Sequence, residues 1–141
     1  MSRLLIIGAG GHGRVVCDAA SLTHRYSEIA FLDDRFGSME DPFPDHPLIG
    51  RTSDAPALSR ETEFIVAIGN NAIRERVMHQ LAQAGLTLAT VIHPAAVIGR
   101  GVTVGEGTVI MAGAVVQTGA EEREETRVPS KWNADTVWST A

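Results

Sequence analysis

Three glycines near the start of the chain have the spacing of a phosphate-binding turn. Gly8, Gly10 and Gly13 form a Gly-x-Gly-x-x-Gly motif directly after the apolar run 4–7. Glycines permit a tight turn, and the helix that follows offers N–H groups and a positive dipole to a phosphate. Because the motif lies between a predicted strand and a predicted helix, it favours nucleotide binding. The alternative is a tight strand–helix turn without a ligand.

The residues that directly follow the next two predicted strands are expected at the same edge of the sheet. They are Asp33, Asp34, Gly69, Asn70 and Asn71. In open α/β sheets ligands bind at the carboxyl ends of the strands. Asp33 lies about 20 residues beyond the glycine turn and could accept a hydrogen bond from a ribose or sugar hydroxyl. The asparagines could contact a base or sugar, or could cap the helix that follows them.

Histidines are the remaining candidates for chemistry. His12 lies in the first turn of the predicted helix and could donate to a phosphate, and its alternative role is that of a partly exposed turn residue. His24, His46 and His79 are scattered without metal-ligand spacing. His93 precedes a proline, so a structural turn is expected there. These spacings predict neither a catalytic residue nor a metal site.

The elements that must position these residues follow from apolar runs and helical periods. Strands are predicted at 4–7, 29–32, 64–68 and 88–92, and helices at 15–20 and 72–84. Residues 35–60 are rich in proline and turn formers, which predicts mainly loop. The alternation predicts a small parallel α/β sheet over residues 1–90, with its last strand running directly into the segment that follows.

That segment carries a strict six-residue repeat. One aliphatic residue recurs in each unit, at Ile92, Ile98, Val104, Ile110 and Val116. Neither a helix nor a simple strand has this period. It is typical of a parallel β-helix, in which each coil buries its neighbour. A β-meander rich in glycine and valine is the alternative, but it would not keep the same phase over five units.

The period stops at Glu122, where the next aliphatic is due. Residues 121–141 are charged, contain both tryptophans and lack glycine. Five hexads make fewer than two coils, whereas solenoids generally need about three or more repeats. We therefore predict a partial β-helix over residues 91–120 and an atypical tail from 121 to 141.

Composition narrows the class of protein. The 141 residues carry a net charge of −5, which disfavours nucleic acid as a partner. The single cysteine excludes an internal disulfide framework. Cys17 lies in an apolar helical stretch, so we expect it to be buried packing. The sequence has neither a signal-peptide pattern nor an apolar run of membrane-spanning length. We expect a soluble, cytoplasmic protein.

Four motifs in order give a specific resemblance. They are GAGGHGR at 8–14, FLDD at 31–34, AIGNN-x-IR at 67–74 and the hexads VIHPAAVIGRGVTVGEGTVIMAGAVV at 91–116. Together they resemble the sugar acetyltransferases of the sialic-acid O-acetyltransferase and bacillosamine N-acetyltransferase group. The resemblance implies a Rossmann-like domain that holds a sugar or nucleotide-sugar acceptor. It also implies a left-handed β-helix that binds acetyl-CoA between the subunits of a homotrimer.

The resemblance also implies roles for individual residues. Gly10, Gly11 and His12 would meet the phosphates or the sugar. Asp33 and Asp34 would contact the uridine or sugar portion. Gly69 and Asn71 would line the same cleft.

The family's general base is a histidine in a later coil, in a motif of the type N-T-G-A-x-V-x-H-x-C. Residues 133–137 echo the start of that motif, but no histidine follows. The expectation is therefore an acetyltransferase chain whose acceptor-binding part is present and whose catalytic coils and acetyl-CoA site are missing, with little or no acetyl transfer. We further predict that the tail is an out-of-frame or otherwise altered continuation.

Two other functions remain open on the sequence alone. One is an NAD-binding module that uses the glycine motif and Asp33. The other is a non-catalytic fragment in which the short β-helix only mediates oligomerisation.

Overall fold

The computed structural model describes residues 1–116 and, beyond them, the backbone of the short strands Thr126–Val128 and Ser139–Thr140. Its first part is a parallel sheet of five strands: β1 (Ser2–Ile7), β2 (Tyr26–Leu32), β3 (Leu48–Gly50), β4 (Thr62–Val66) and β5 (Thr87–Leu88). The strand order is β3-β2-β1-β4-β5. After β3 the chain crosses to the other side of β1, so the order reverses between β1 and β4. This confirms the predicted parallel α/β sheet.

Helices cover both faces of this sheet. Helix α1 (Gly11–Leu22) follows β1, a 3₁₀ helix (Thr52–Leu58) precedes β4, and α2 (Asn71–Gln83) follows β4. Alternate residues of β1 belong to two separate apolar clusters, with Leu4 and Ile6 beside α1 and Leu5 beside α2. Burial on both faces explains why β1 is a continuous apolar run in the sequence.

Residues 35–60 contain more structure than the predicted loop. The prediction was wrong for Leu48–Gly50, which forms the edge strand β3, and for the 3₁₀ helix. β3 takes its place through pairing with β2: Phe31 N–H donates to the carbonyl of Pro47 and Asp33 N–H to that of Gly50. Three residues are too few to show a period, so only the tertiary pairing defines this strand.

The predicted strand 88–92 is in fact two strands. β5 pairs with β4 in the sheet, whereas β6 (Val91–Ile92) pairs with β9 (Val109–Ile110). Ala89 N–H still donates to the carbonyl of Phe64, but Val91 N–H donates to that of Thr108. The backbone thus changes partners within two residues, and an apolar run does not reveal such a change.

The hexad segment forms the coils of a parallel β-helix, as predicted. Its further strands are β7 (Val97–Ile98), β8 (Val102–Val104), β10 (Val115–Val116), β11 (Thr126–Val128) and β12 (Ser139–Thr140). Val91 pairs with Val109 and Val97 with Val115, so three hexads make one coil. All five period-six aliphatics lie in a single apolar cluster.

Two strands beyond residue 120 pair with the coils. β11 lies parallel to β8, with Thr126 opposite Val102, and β12 lies parallel to β10, with Ser139 opposite Val115. In these pairs the two residues are four hexads apart along the chain, whereas Val91 and Val109 of the first coil are three hexads apart. The rest of the predicted tail, including the segment that echoes the catalytic motif, lies outside the described residues, and its altered origin stays a prediction.

Helix α1 joins the sheet to the first coil. Ala89, Val91 and Val109 belong to the same buried cluster as Val16 and Ala20 of α1. The two structural units therefore share one apolar core, and no flexible linker separates them near residue 90. Within the described part of the chain, neither helix has both the length and the apolar character needed to span a bilayer.

This shared core predicts how the chain unfolds. Val109 is completely buried, so Val109→Ala should lower the free energy of unfolding by about 2 kcal/mol through lost methyl burial and the resulting cavity. Val97 is 58% exposed, so Val97→Ala should change that free energy by less than about 0.5 kcal/mol. Urea denaturation measures both. Two separate transitions, with only one of them shifted by Val109→Ala, would contradict a shared core.

Candidate functional site

The glycine turn after β1 and the two aspartates after β2 line one cavity beside the point where the strand order reverses, whereas Gly69, Asn70 and Asn71 are not among its lining residues. A cavity of about 120 Å³ lies at this carboxyl edge, lined by Ile7, Gly8, Asp33, Asp34, Thr52 and Ile68. The structure therefore brings the glycine turn and both aspartates together, as the sequence predicts. A crevice at the reversal point of an open α/β sheet is the usual ligand site of this architecture.

Two glycines of the turn are required by close packing. Gly8 has φ +112°, and a Cβ there would overlap the carbonyl oxygen of Ala67. A Cβ on Gly13 would overlap the carbonyl oxygen of Gly8. Gly13 therefore lets α1 pack directly against the end of β1, and Gly8 lets the turn approach the backbone that follows β4.

Three other glycines leave space at the site. A Cβ at Gly11 or Gly69 would meet nothing within 4 Å, and one at Gly10 would meet only Nη2 of Arg35, at 3.6 Å. Gly10 caps α1, and its carbonyl accepts the first helical hydrogen bond, from Arg14 N–H. The N–H groups ahead of that bond point out of the amino end of the helix. Because Gly10 and Gly11 have no side chains, that end of the helix stays open to a ligand.

Asp33 is the buried centre of the site. Its Oδ1 accepts from the backbone N–H of Arg35 at 2.9 Å and from Arg35 Nε at 3.0 Å. Its Oδ2 accepts from Ala9 N–H at 2.9 Å and from Arg35 Nη2 at 2.9 Å. The Arg35 side chain, followed by the two backbone donors, lowers the pKa of Asp33 well below its usual range despite burial, which opposes the shift. The carboxylate ties β2 to the glycine turn.

Asp34 is exposed and has one hydrogen bond among the described residues. Its Oδ1 accepts from Thr52 N–H at 3.1 Å. The neighbouring Arg51 N–H donates to Asp54 at 2.8 Å, so carboxylates hold the start of the 3₁₀ helix beside the cavity. Oδ2 of Asp34 keeps acceptor capacity for a ligand.

The two asparagines have distinct roles. Oδ1 of Asn70 accepts from Ile73 N–H at 2.9 Å, which confirms the capping alternative for this residue. Oδ1 of Asn71 accepts from Arg74 Nη2, and Arg74 also donates from Nη1 to the carbonyl of Ile68 at 3.1 Å. Arg74 is only 4% exposed. Its hydrogen bonds fix the loop after β4 and leave the Asn71 amide N–H groups as possible donors.

Sequence reasoning missed Arg35 and Arg74 as site residues. Arg74 lies three positions after Asn71 on α2, a spacing that places the two side chains on one helix face and could have revealed the pair. Arg35 directly follows the two aspartates in an unpatterned loop. Only the structure places its guanidinium beside Gly10.

The histidines are placed largely as expected. His12 lies half-buried in the first turn of α1 at the site edge, and its contact with a ligand stays a prediction. Nδ1 of His93 accepts from Ala95 N–H at 2.9 Å, as a structural turn requires. Nδ1 of His46 lies 3.0 Å from the carbonyl of Ile29, away from the cavity. Cys17 of α1 is buried in the apolar cluster between this helix and the sheet, as expected, and burial raises the pKa of its thiol to about 12.

The glycine packing predicts opposite effects of two alanine substitutions. Gly13→Ala should lower the free energy of unfolding by about 1–3 kcal/mol, because the new methyl group overlaps the Gly8 carbonyl. Gly11→Ala, in the same helical turn, meets open space and should be neutral or slightly stabilising. Thermal and urea denaturation measure both variants. Equal losses of stability would mean that the turn does not pack as described.

The hydrogen bonds of Asp33 predict a pH dependence of stability. Since folding lowers the pKa of Asp33, its stabilisation is complete above the unfolded-state pKa of about 3.9 and is lost progressively as pH falls from there towards the lower folded-state pKa. The Asp33→Asn variant should be less stable at neutral pH and should lose less stability on acidification. Denaturation curves between neutral and acid pH measure this, and parallel declines in the two proteins would contradict it.

Comparison with known proteins identifies the family of this chain. Residues 3–81 match the PglD N-terminal domain family. UDP-N-acetylbacillosamine N-acetyltransferase from Bacillus subtilis (strain 168) is 32% identical over 103 residues, which are 71% of this chain and 47% of that protein. The chain thus spans about half the length of this curated relative.

Solved structures give the same assignment. The acetyltransferase domain of PglB from Neisseria gonorrhoeae FA1090, in complex with acetyl coenzyme A, is 39% identical with a TM-score of 0.71, over 83% of this chain and 59% of that chain. A variant of perosamine N-acetyltransferase from Caulobacter crescentus, in complex with CoA and GDP-perosamine, is 29% identical with a TM-score of 0.69, over 82% and 54% respectively. These findings confirm the resemblance. The chain belongs to the PglD N-terminal domain family of bacillosamine-type sugar N-acetyltransferases.

Proposed function

We propose that this chain binds a nucleotide-activated amino sugar at the carboxyl edge of its sheet, as the acceptor-binding part of an acetyl-CoA-dependent N-acetyltransferase. The observation that carries the proposal is the open amino end of α1, which lies beside a cavity lined by both aspartates. An acceptor of this class has a diphosphate flanked by a nucleoside and a sugar. The site offers a complementary group for each part.

The diphosphate would lie against the glycine turn. Helix N–H groups and the positive end of the dipole favour anions there, and Gly10 and Gly11 present no side chain to obstruct them. His12, in the same turn, would donate to a phosphate or to the sugar.

The nucleoside and the sugar would contact the polar groups around the cavity. Asp34 can accept from a base N–H or a sugar hydroxyl through Oδ2, and the amide of Asn71 can donate. Gly69 would line the same cleft. Asp33 has the residue type to contact a sugar hydroxyl, but four protein hydrogen bonds already engage its two oxygens.

Acetyl transfer itself would follow the chemistry of the relatives. The sugar amine attacks the thioester carbonyl of acetyl-CoA, the CoA thiolate leaves, and a base takes the proton from the amine. The named relatives are N-acetyltransferases, which favours an amino group over a hydroxyl as the acceptor. A homotrimer and a cytoplasmic location belong to the same proposal. The residues that support the proposal here bind the acceptor and do not perform the proton transfer.

The Asp33 geometry also weighs against the NAD-binding alternative. In dinucleotide-binding folds the acidic residue after the second strand accepts from the ribose 2′-hydroxyl. Here that carboxylate is committed to Ala9 and Arg35. A ribose diol would have to displace one of these partners.

A charge placed at the open turn tests the proposal. Gly11→Asp should fold normally, because the side chain meets open space and a carboxylate is favourable in a first helical turn. It should nevertheless abolish binding of a UDP-linked or GDP-linked 4-amino sugar by repelling the diphosphate. Isothermal titration calorimetry of the purified chain measures binding, with NAD as the parallel ligand.

Gln83→Glu is the matched control, since it adds the same charge at the exposed far end of α2. This variant should bind like the wild type. Heat from NAD alone, or undiminished binding of the amino sugar by Gly11→Asp, would overturn the proposed function.

A further inference from the structure

Arg35 is held at the mouth of the glycine turn by a buried partner. Its guanidinium donates from Nε and Nη2 to the two oxygens of Asp33, at 3.0 and 2.9 Å. The same carboxylate accepts from Ala9 N–H inside the turn. The guanidinium, the carboxylate and the turn are therefore one connected hydrogen-bonded unit.

One edge of this guanidinium remains available for a ligand. Arginine has five N–H donors, and two of them are spent on Asp33. Among the described residues no other side chain accepts from Arg35, whose side chain is 57% exposed. A Cβ on Gly10 would lie 3.6 Å from Nη2, so the cation lies beside the open amino end of α1.

Binding of an anion at this site would need a cation to offset the two aspartates. The dipole of a helix is equivalent to roughly half an elementary charge at its amino end, which does not offset two nearby carboxylates. The guanidinium groups of Arg14 and Arg51 lie over the rings of Phe43 and Phe36. Of the arginines in the described part of the chain, Arg35 is the one that pairs with Asp33 and lies beside the turn.

We propose that Arg35 binds the diphosphate of the nucleotide-activated sugar, with Asp33 acting as its positioning residue. This inference rests on the proposed function. The planar fork suits phosphate oxygens, and the bidentate bond to Asp33 fixes the side chain before the ligand arrives. Because a carboxylate has about four acceptor positions, Asp33 has no capacity left for a sugar hydroxyl.

Removing the guanidinium should weaken binding only of ligands that carry a diphosphate. Arg35→Gln should raise the Kd of UDP by about 10- to 100-fold, the usual loss for a hydrogen bond to a charged group. The Kd of uridine, which lacks phosphate, should not change. GDP and guanosine serve as the parallel pair, and calorimetry on the full chain measures all four.

Two further variants separate binding from folding. Arg25→Gln is the matched control, because Arg25 lies over Tyr26 at the start of β2, on the opposite edge of the sheet. It should bind like the wild type. Since Arg35→Gln alone leaves Asp33 buried without its cation, Asp33→Asn/Arg35→Gln removes both charges and retains an acceptor for Ala9 N–H. This double variant should show the same selective loss for UDP.

The outcomes distinguish this inference from the proposed function. Undiminished UDP or GDP binding by both Arg35 variants would overturn the role of Arg35 and leave the proposed function intact. Equal losses for UDP and uridine would also overturn it, because they would indicate a merely structural effect. If the wild-type chain binds neither nucleoside diphosphate nor nucleotide sugar, both proposals fail.

Discussion

The close approach of α1 to the end of β1 is the constraint on which the rest of the structure depends. Only glycine at position 13 permits it, because a Cβ there would overlap the carbonyl of Gly8, while glycine at position 8 lets the same turn lie against Ala67 after β4. The approach aims the amino end of α1 at the carboxyl edge of the sheet and brings Ala9 N–H within reach of Asp33. The open turn, the buried carboxylate and the cavity are therefore consequences of one packing contact.

The same helix also supports the β-helix. Residues Val16 and Ala20 pack with Val91 and Val109 of the first coil in one cluster. A solenoid coil needs a neighbour to bury its end, and α1 with the edge of the sheet provides one. The proposed acceptor site and the first coil thus both pack against α1, which fixes the distance between them. This arrangement suits the proposed function, in which the acceptor would meet acetyl-CoA held by the coils.

The electrostatics of the site combine an acidic sequence with the positive amino end of a helix. A chain of net charge −5 places two aspartates beside the position proposed for a diphosphate. The arrangement is workable because Asp33 is neutralised by Arg35, while Asp34 is partly engaged by Thr52 N–H. Two hydrogen bonds hold the first pair in place, and exposure leaves the carboxylate of Asp34 available. The two adjacent aspartates therefore have different roles that their shared residue type conceals.

The sequence by itself determined the sheet strands with strong apolar runs, the two helices, the hexad coils and the family, because period and motif spacing are local properties. It also located the edge at which Gly8 and Asp33 meet, since parallel strands end together. Only the tertiary structure decided what depends on pairing between distant segments. Such features are the edge strand β3, the change of partners at Ala89, and the hydrogen bond from Ala9 N–H to Asp33. No local pattern encodes them, because each partner is chosen in space and not along the chain.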